Sequence, residues 1–229
     1  MNPTEIIEKA EGFKNLLGEL REDLTGHIIV GASSIPGTYI LPGIISAFRR
    51  KHPSVLFEII VSDSQGIIDK VSDHDLLIGI VGARLDSRQL QYIPFLNDEL
   101  VVIDAPTIAK SRSMDFSEIV DLPMVMREQG SGTRREFEKV LKHKIDENHL
   151  NIVGIFGSTD AVKQAVKQGV GISVVSRRAV RDELKCNVLS EIKIKDIEMQ
   201  RQFFIVTHRK RTLPHSYKSF LEYLLSSGR

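Results

Sequence analysis

Three short polar turns carry the residue types from which a binding site could be built. Ser33, Ser34, Ile35, Pro36 and Gly37 follow an apolar run and open a helical pattern. Gln129 to Arg134, with Ser131 and Thr133, do the same in the second half, and Gly157, Ser158, Thr159 and Asp160 repeat the arrangement. The first backbone N–H groups of a helix have no partner within it, so a Ser or Thr hydroxyl there either caps them or meets a ligand. Such a terminus also favours anions, and glycine lets a carboxylate, sulfate or phosphate approach closely. Ligands of open α/β sheets gather beyond the carboxyl ends of the strands. Taken singly, each of these residues also serves as a plain cap. The pattern alone leaves capping and ligand contact both open.

Other chemistry is poorly represented. The chain has no GxSxG segment, and the turn Gly130–Ser131–Gly132–Thr133 is too short for a phosphate-binding GK[ST] loop and lacks its lysine. Cys186 is the one cysteine, which excludes an intramolecular disulfide and reads as an inert small side chain. Seven histidines are scattered, and His143 and His149 lie six apart around a helix end, not at helical ligand spacing. No catalytic residue, metal or cofactor is expected, and no enzyme. Arg134 suits either an anion or a surface ion pair. The run His208–Arg209–Lys210–Arg211 reads as a solvated connection before the last helix.

Composition narrows the partners. The 229 residues are 41% hydrophobic and 27% charged with a formal net charge of +1, enough for a large core but not the positive field of a nucleic-acid domain. Trp is absent and only 4 Tyr are present, so no aromatic platform for exposed bases is expected. No apolar run approaches the ~18 residues of a membrane span, and Met1 to Lys9 do not form a signal peptide. A cytoplasmic protein without a membrane partner is expected, which the lone cysteine also suits.

The elements that must hold those turns follow from periodicity. Ile6, Ala10, Phe13, Leu17, Leu20 and Leu24 alternate steps of four and three, as on one face of a helix. Strands are expected at His27–Gly31, Val55–Val61 and Leu76–Val81, with a helix carrying Ile40, Leu41, Ile44, Ile45 and Phe48 and a short one around Ser64–Val71. Pro42 should perturb the early turns of the first of these helices. Gln91–Phe95 and Leu100–Asp104 read as two strands separated by a turn at Asn97–Asp98, and the pattern breaks at Ala105–Pro106. The rhythm then repeats through strands at Pro123–Met126, Asn151–Phe156 and Ile172–Ser176 and helices from Arg134, around Val162–Val166 and over Arg177–Leu184. Val188–Ile197 is too mixed to assign. Phe203–Val206 is a returning strand, and Leu213, Tyr217, Phe220, Leu221 and Leu224 form a last amphipathic helix. Strand–helix–strand alternation predicts a parallel α/β protein of two units.

At these same turns the sequence resembles the effector-binding region of LysR-type transcriptional regulators. The segments that carry the resemblance are Leu24 to Pro53, REQGSGTRREFE from Arg127 to Glu138, and Gly157 to Val180, and it covers nearly the whole chain. It implies two Rossmann-like subdomains joined by crossover strands, like a type 2 periplasmic binding protein. Residues 1–24 would be the end of a linker helix, 25–102 and 204–229 the first subdomain, and 103–203 the second. A small polar or anionic effector would lie between them on Ser33, Ser34, Ile35, Ser131, Thr133, Gly157, Ser158 and Thr159. The family also implies a homodimer. DNA would be read only by an N-terminal winged helix-turn-helix domain of the intact regulator, which these residues do not include. The alternative is a stand-alone solute-binding protein for a small anion or carboxylate.

Overall fold

The computed structural model describes residues 24–106, 111–142 and 150–228. The expected N-terminal helix therefore lies outside the described residues except for Leu24, which is buried in the core. His143 and His149 lie outside them too.

Strand β1 (Gly26–Ser33) alternates side chains between two faces, as a pleated strand must. Ile28, Val30 and Ala32 join one core, while Ile29 packs into another on the opposite face. A π-helical turn (Pro36–Ile40) follows, then α1 (Leu41–Lys51). The widened turn has a local cause: Pro42 has no N–H and its ring crowds the preceding turn, so the Leu41 N–H donates to the Pro36 carbonyl. β2 (Val55–Ser62), α2 (Ser64–Ser72) and β3 (Ile78–Val81) complete a parallel unit with strand order β2-β1-β3.

Two strands then run through the whole molecule. β4 (Leu90–Asp104) and β10 (Met199–His208) are antiparallel partners. β10 also pairs with β3, and the far half of β4 pairs with β8 (Ser173–Ser176) and β9 (Ser190–Ile194). The expected turn at Asn97–Asp98 is thus corrected: both residues lie in one continuous strand, paired with Gln202 and Arg201. Turn propensity yields here because Asp98 is fully buried and ion-paired across the ladder. The mixed segment after Val188 contains β9, whose only apolar residues, Ile192 and Ile194, both point into the core.

Between them lie β5 (Ser113–Met114), α3 (Phe116–Val120), β6 (Met124–Arg127), α4 (Gly132–Lys142), β7 (Ile152–Phe156), α5 (Thr159–Lys167) and α6 (Arg177–Lys185). Beyond the break at Ala105–Pro106, α3 opens on a reciprocal cap between Asp115 and Glu118. α7 (His215–Ser227) ends the chain.

The cores fall into two lobes, with Ala179 of α6 packing into the core of the first. In the first, α1 and α7 cover one sheet face with Phe48, Tyr217, Phe220 and Leu224, and α2 covers the other with Ile67, Ile68 and Val71. In the second, α3 and α4 bring Ile119, Phe137 and Leu141 to one face, and α5 and α6 bring Val162, Val166 and Val180 to the other. Along β4 the core changes between Phe95 and Leu100, and along β10 between Met199 and Phe203. Among the described residues no helix is long and apolar enough to cross a membrane.

Candidate functional site

The carboxyl ends of β1, β2, β3 and β6 converge where the lobes meet. β1 ends at Ser33, and Ser34 and Ile35 lead into the π-helical turn. β2 ends before Asp63, whose carboxylate caps α2 by accepting the Gly66 N–H at 2.7 Å. Next to it the Ser64 hydroxyl accepts the Gly82 N–H at 3.2 Å, tying the ends of β2 and β3 together. From the second lobe, β6 ends at Arg127 and the chain turns into α4 at Gly132.

The lobes touch through backbone. The Gln65 N–H donates to the Gly130 carbonyl at 3.3 Å, and Arg135 Nη2 donates to Gln65 Oε1 at 2.6 Å. A Cβ on Gly132 would stand 2.8 Å from the Gly82 carbonyl carbon and from Ser64 Oγ, so only glycine fits. What remains between the lobes is a cavity of about 10 Å³, lined by Ser33, Ser34, Ile35, Asp63, Ser64, Arg127, Ser131, Gly132, Thr133 and Arg201. That is room for roughly one water molecule.

Two buried guanidiniums set its electrostatics. Arg201 donates from Nε to Asp98 Oδ2 at 2.8 Å and from Nη1 to Thr133 Oγ1 at 3.0 Å. Its Nη2 is buried without a partner. Burial pushes the Arg201 guanidinium below its usual range, against the opposing pull of Asp98. Arg127 donates to both carboxylate oxygens of Glu128, to Thr159 Oγ1, and across the cleft to Ser34 Oγ at 3.4 Å. The start of α4 adds backbone N–H groups to this positive field.

Of the eight residues expected at the site, Ser33, Ser34, Ile35, Ser131 and Thr133 line the cavity together. Thr159 stands behind Arg127 as its hydrogen-bond partner. Ser158 caps α5 by accepting the Ala161 N–H at 3.1 Å, and a Cβ added at Gly157 would meet nothing within 4 Å. Neither lines the cavity. Arg134 turns away to Glu138 at 2.6 Å and to the Arg127 carbonyl. In the run 208–211, His208 is buried at the end of β10, Arg209 Nε donates to the Leu90 carbonyl at 2.9 Å, and Arg211 reaches the His74 carbonyl.

Sequence reasoning missed Arg127, Arg201, Asp63 and Ser64. Arg127 had a readable signal, a cation on the last residue of a strand before a glycine turn. Arg201 had none, because its partner Thr133 is 68 residues away.

A larger groove of about 870 Å³ opens on the α5 and α6 side of the crossover strands. Its charges mostly satisfy one another: Lys163 with Glu183 at 2.8 Å, Arg177 with Glu99 and Glu191, and Arg178 with Asp98 at 3.4 Å. Burial alone would lower the Lys163 pKa, but its bonds to Glu183 and Tyr39 raise it. Arg201, whose buried Nη2 has no hydrogen-bond partner, lines the small cleft and not this groove. No group of three or more His, Cys, Asp or Glu suited to a metal occurs among the described residues.

Comparison with known proteins gives this geometry a family. The model of the LysR substrate binding domain matches residues 21–229. The chain belongs to this family. The HTH-type transcriptional regulator YeiE of Escherichia coli (strain K12) is 33% identical over 219 residues, covering 95% of this chain and 73% of that relative. Among solved structures, the CcmR regulatory domain of Synechocystis PCC6803, in complex with 2-PG, has a TM-score of 0.80 at 25% identity, covering 90% of this chain and 98% of that one. The effector-binding domain of QuiR, in complex with shikimate, also reaches 0.80 with the same coverage at 18% identity, a likeness of fold. This LysR domain is an effector-sensing module of a transcriptional regulator, not a catalyst and not a solute-binding protein of a transporter. Its curled α/β sheet is the type 2 periplasmic-binding-protein-like fold.

Proposed function

We propose that this LysR domain senses a small anionic effector held between the lobes by Ser33, Ser34, Ile35, Ser131 and Thr133 together with Arg127 and Arg201. The observation that carries this reading is the buried, unpartnered Nη2 of Arg201, a residue that lines the cleft. An unsatisfied buried donor is costly, and an anion there relieves it. The small molecules bound by CcmR and QuiR support an occupant of that size.

The present cavity is too small for sulfate or a carboxylic acid, so the effector enters when the lobes part. Binding then selects whichever lobe arrangement brings both sets of donors to the ligand, and only that differential affinity shifts the population. The lobes are assigned to residues 25–102 with 204–229 and to 103–203; the change of core along β4 and β10 supports two lobes, but it falls slightly earlier on each strand, with Leu100 and Val102 in the second core and Phe203 in the first. Gly157, Ser158 and Thr159 join the site in such an opened arrangement, Thr159 through Arg127.

Homodimerisation is assigned to two of the sheet edges, those of β2 and β7. Among the described residues β2 pairs only with β1, and β7 only with β6, and they expose Leu56 and Val61, and Ile152, Val153 and Ile155. Unpaired edges with apolar side chains invite a second chain. In the intact regulator DNA is read by a winged helix-turn-helix domain, in line with the HTH-type relatives, and the protein works in the cytoplasm.

A thermal-stability screen with sulfate, sulfite, phosphate and small carboxylates tests the site, followed by calorimetry. A ligand that binds only the native state raises the midpoint by mass action. A saturable rise that is lost in Ser34→Ala and Thr133→Ala supports the cleft. A rise unchanged in both variants puts the effector elsewhere.

A further inference from the structure

Glu128 fills the fork of Arg127 in the way an oxyanion would. Its Oε2 accepts from Arg127 Nε at 2.7 Å and its Oε1 from Nη2 at 2.6 Å, the paired geometry in which guanidinium binds carboxylate or sulfate. The two residues are adjacent in sequence, so side chains of an ordinary strand would point to opposite faces. They meet because β6 stops at Arg127 and the chain turns back over it. The Arg127 side chain is 5% exposed whereas Glu128 is 25% exposed, so the carboxylate sits on the solvent side of a buried cation. The same Nη2 also reaches Ser34 Oγ in the other lobe. Glu128 therefore holds a guanidinium that spans the cleft.

Resting on the anion-binding reading, we infer that Glu128 is a built-in counter-anion that the effector displaces from Arg127. The site then selects molecules with at least two anionic oxygens in one plane or tripod, able to replace both bonds at once. A neutral polar molecule, or an anion with a single charged oxygen, leaves the fork filled. Displaced, Glu128 swings outward to water while the incoming anion joins Arg127, Ser34 and the free Nη2 of Arg201. The effector thus replaces a contact within the second lobe by one shared between lobes. Loading is coupled to lobe arrangement without any change in net pairing of Arg127.

The experiment is calorimetric titration with inorganic sulfate at constant ionic strength. The proteins are wild type, Glu128→Gln, Glu128→Asp and Glu138→Gln. Hydrogen bonds between two charged groups are about twice as strong as those to a neutral amide, so Glu128→Gln binds sulfate about tenfold tighter. Glu128→Asp, which keeps the charge but shortens the arm, tightens binding by less. Glu138→Gln removes an equal charge whose partner is Arg134 and leaves the Arg127 fork filled, so its affinity stays within about twofold of wild type. Sulfate binding unchanged or weakened in Glu128→Gln, or tightened equally in Glu138→Gln, overturns the displacement model while leaving the anion site standing. Absence of sulfate binding in all four proteins overturns both.

Discussion

Arg201 and Asp98 face each other across the two crossover strands, paired in register and joined at 2.8 Å with side chains 2% and 0% exposed. The second Asp98 oxygen accepts from Ser176 Oγ at 2.8 Å, at the start of α6. On the other side Arg201 holds Thr133 at the start of α4. One ion pair thus ties both crossover strands to two helix starts of the second lobe, and Arg201 carries that tie into the cleft. Charges so deep are kept because they are paired, Asp98 also with Arg178 at 3.4 Å; unpaired, each would be strongly unfavourable.

Asp98→Asn should therefore destabilise the fold by about 3 kcal/mol, because it leaves the Arg201 guanidinium buried without a counter-charge. Urea unfolding followed by circular dichroism measures this as a lower midpoint at an unchanged slope. A loss within about 0.5 kcal/mol, the range of ordinary surface changes, would contradict the role assigned to the pair.

Gly132→Ala tests the lobe contact. The added methyl would meet the Gly82 carbonyl and Ser64 Oγ at 2.8–2.9 Å, inside van der Waals contact, from an element on the other lobe. Because α4 begins here, alanine suits the helix itself, and the strain falls on lobe closure. Solution scattering should show a larger radius of gyration than wild type, with thermal stability altered far less than by Asp98→Asn. An identical scattering profile would mean that the lobes relax around the methyl without opening.

Leu56→Lys and Ile155→Lys probe the sheet edges. These side chains are 62% and 58% exposed, so a lysine costs the folded monomer little, and edge lysines oppose strand pairing. Sedimentation should show the wild type as a dimer and each variant shifted towards monomer, with melting curves within a few degrees of one another. A dimer unaffected by both would move the interface to another face.

The His208 ring gives stability a pH dependence near neutrality. Burial, with His74, Lys210 and Arg211 nearby, lowers its pKa below the ordinary 6.5, and its Nδ1 accepts the Lys210 N–H at 3.3 Å only when unprotonated. The unfolded chain then binds a proton where the folded chain does not. This contribution to stability is present in full above pH 6.5 and is lost progressively as the pH falls from there towards the lowered value. Melting temperatures measured through this range should fall less steeply in His208→Gln than in wild type. Parallel curves would assign the dependence to another group.

Local pattern determined most of the elements. Apolar runs such as His27–Gly31 and Val55–Val61 marked strands, and the Ser-, Thr- and Gly-bearing turns marked where strands hand over to helices, because caps and periodicity act over a few residues. The turn motifs in sequence also carried the family, and with it five residues that do line the cleft. What sequence misread was decided by distant partners. Asn97 and Asp98 carry turn propensity, yet β10 pairs with them and Arg201 neutralises Asp98, so the strand runs through. Ser158 has the same chemistry as Ser131, and only the packing of the lobes decides that one lines the cavity while the other simply caps α5. Arg201 has no local signal at all. Its place depends on a strand that returns about a hundred residues after its partner, bringing together charges that no window along the chain contains.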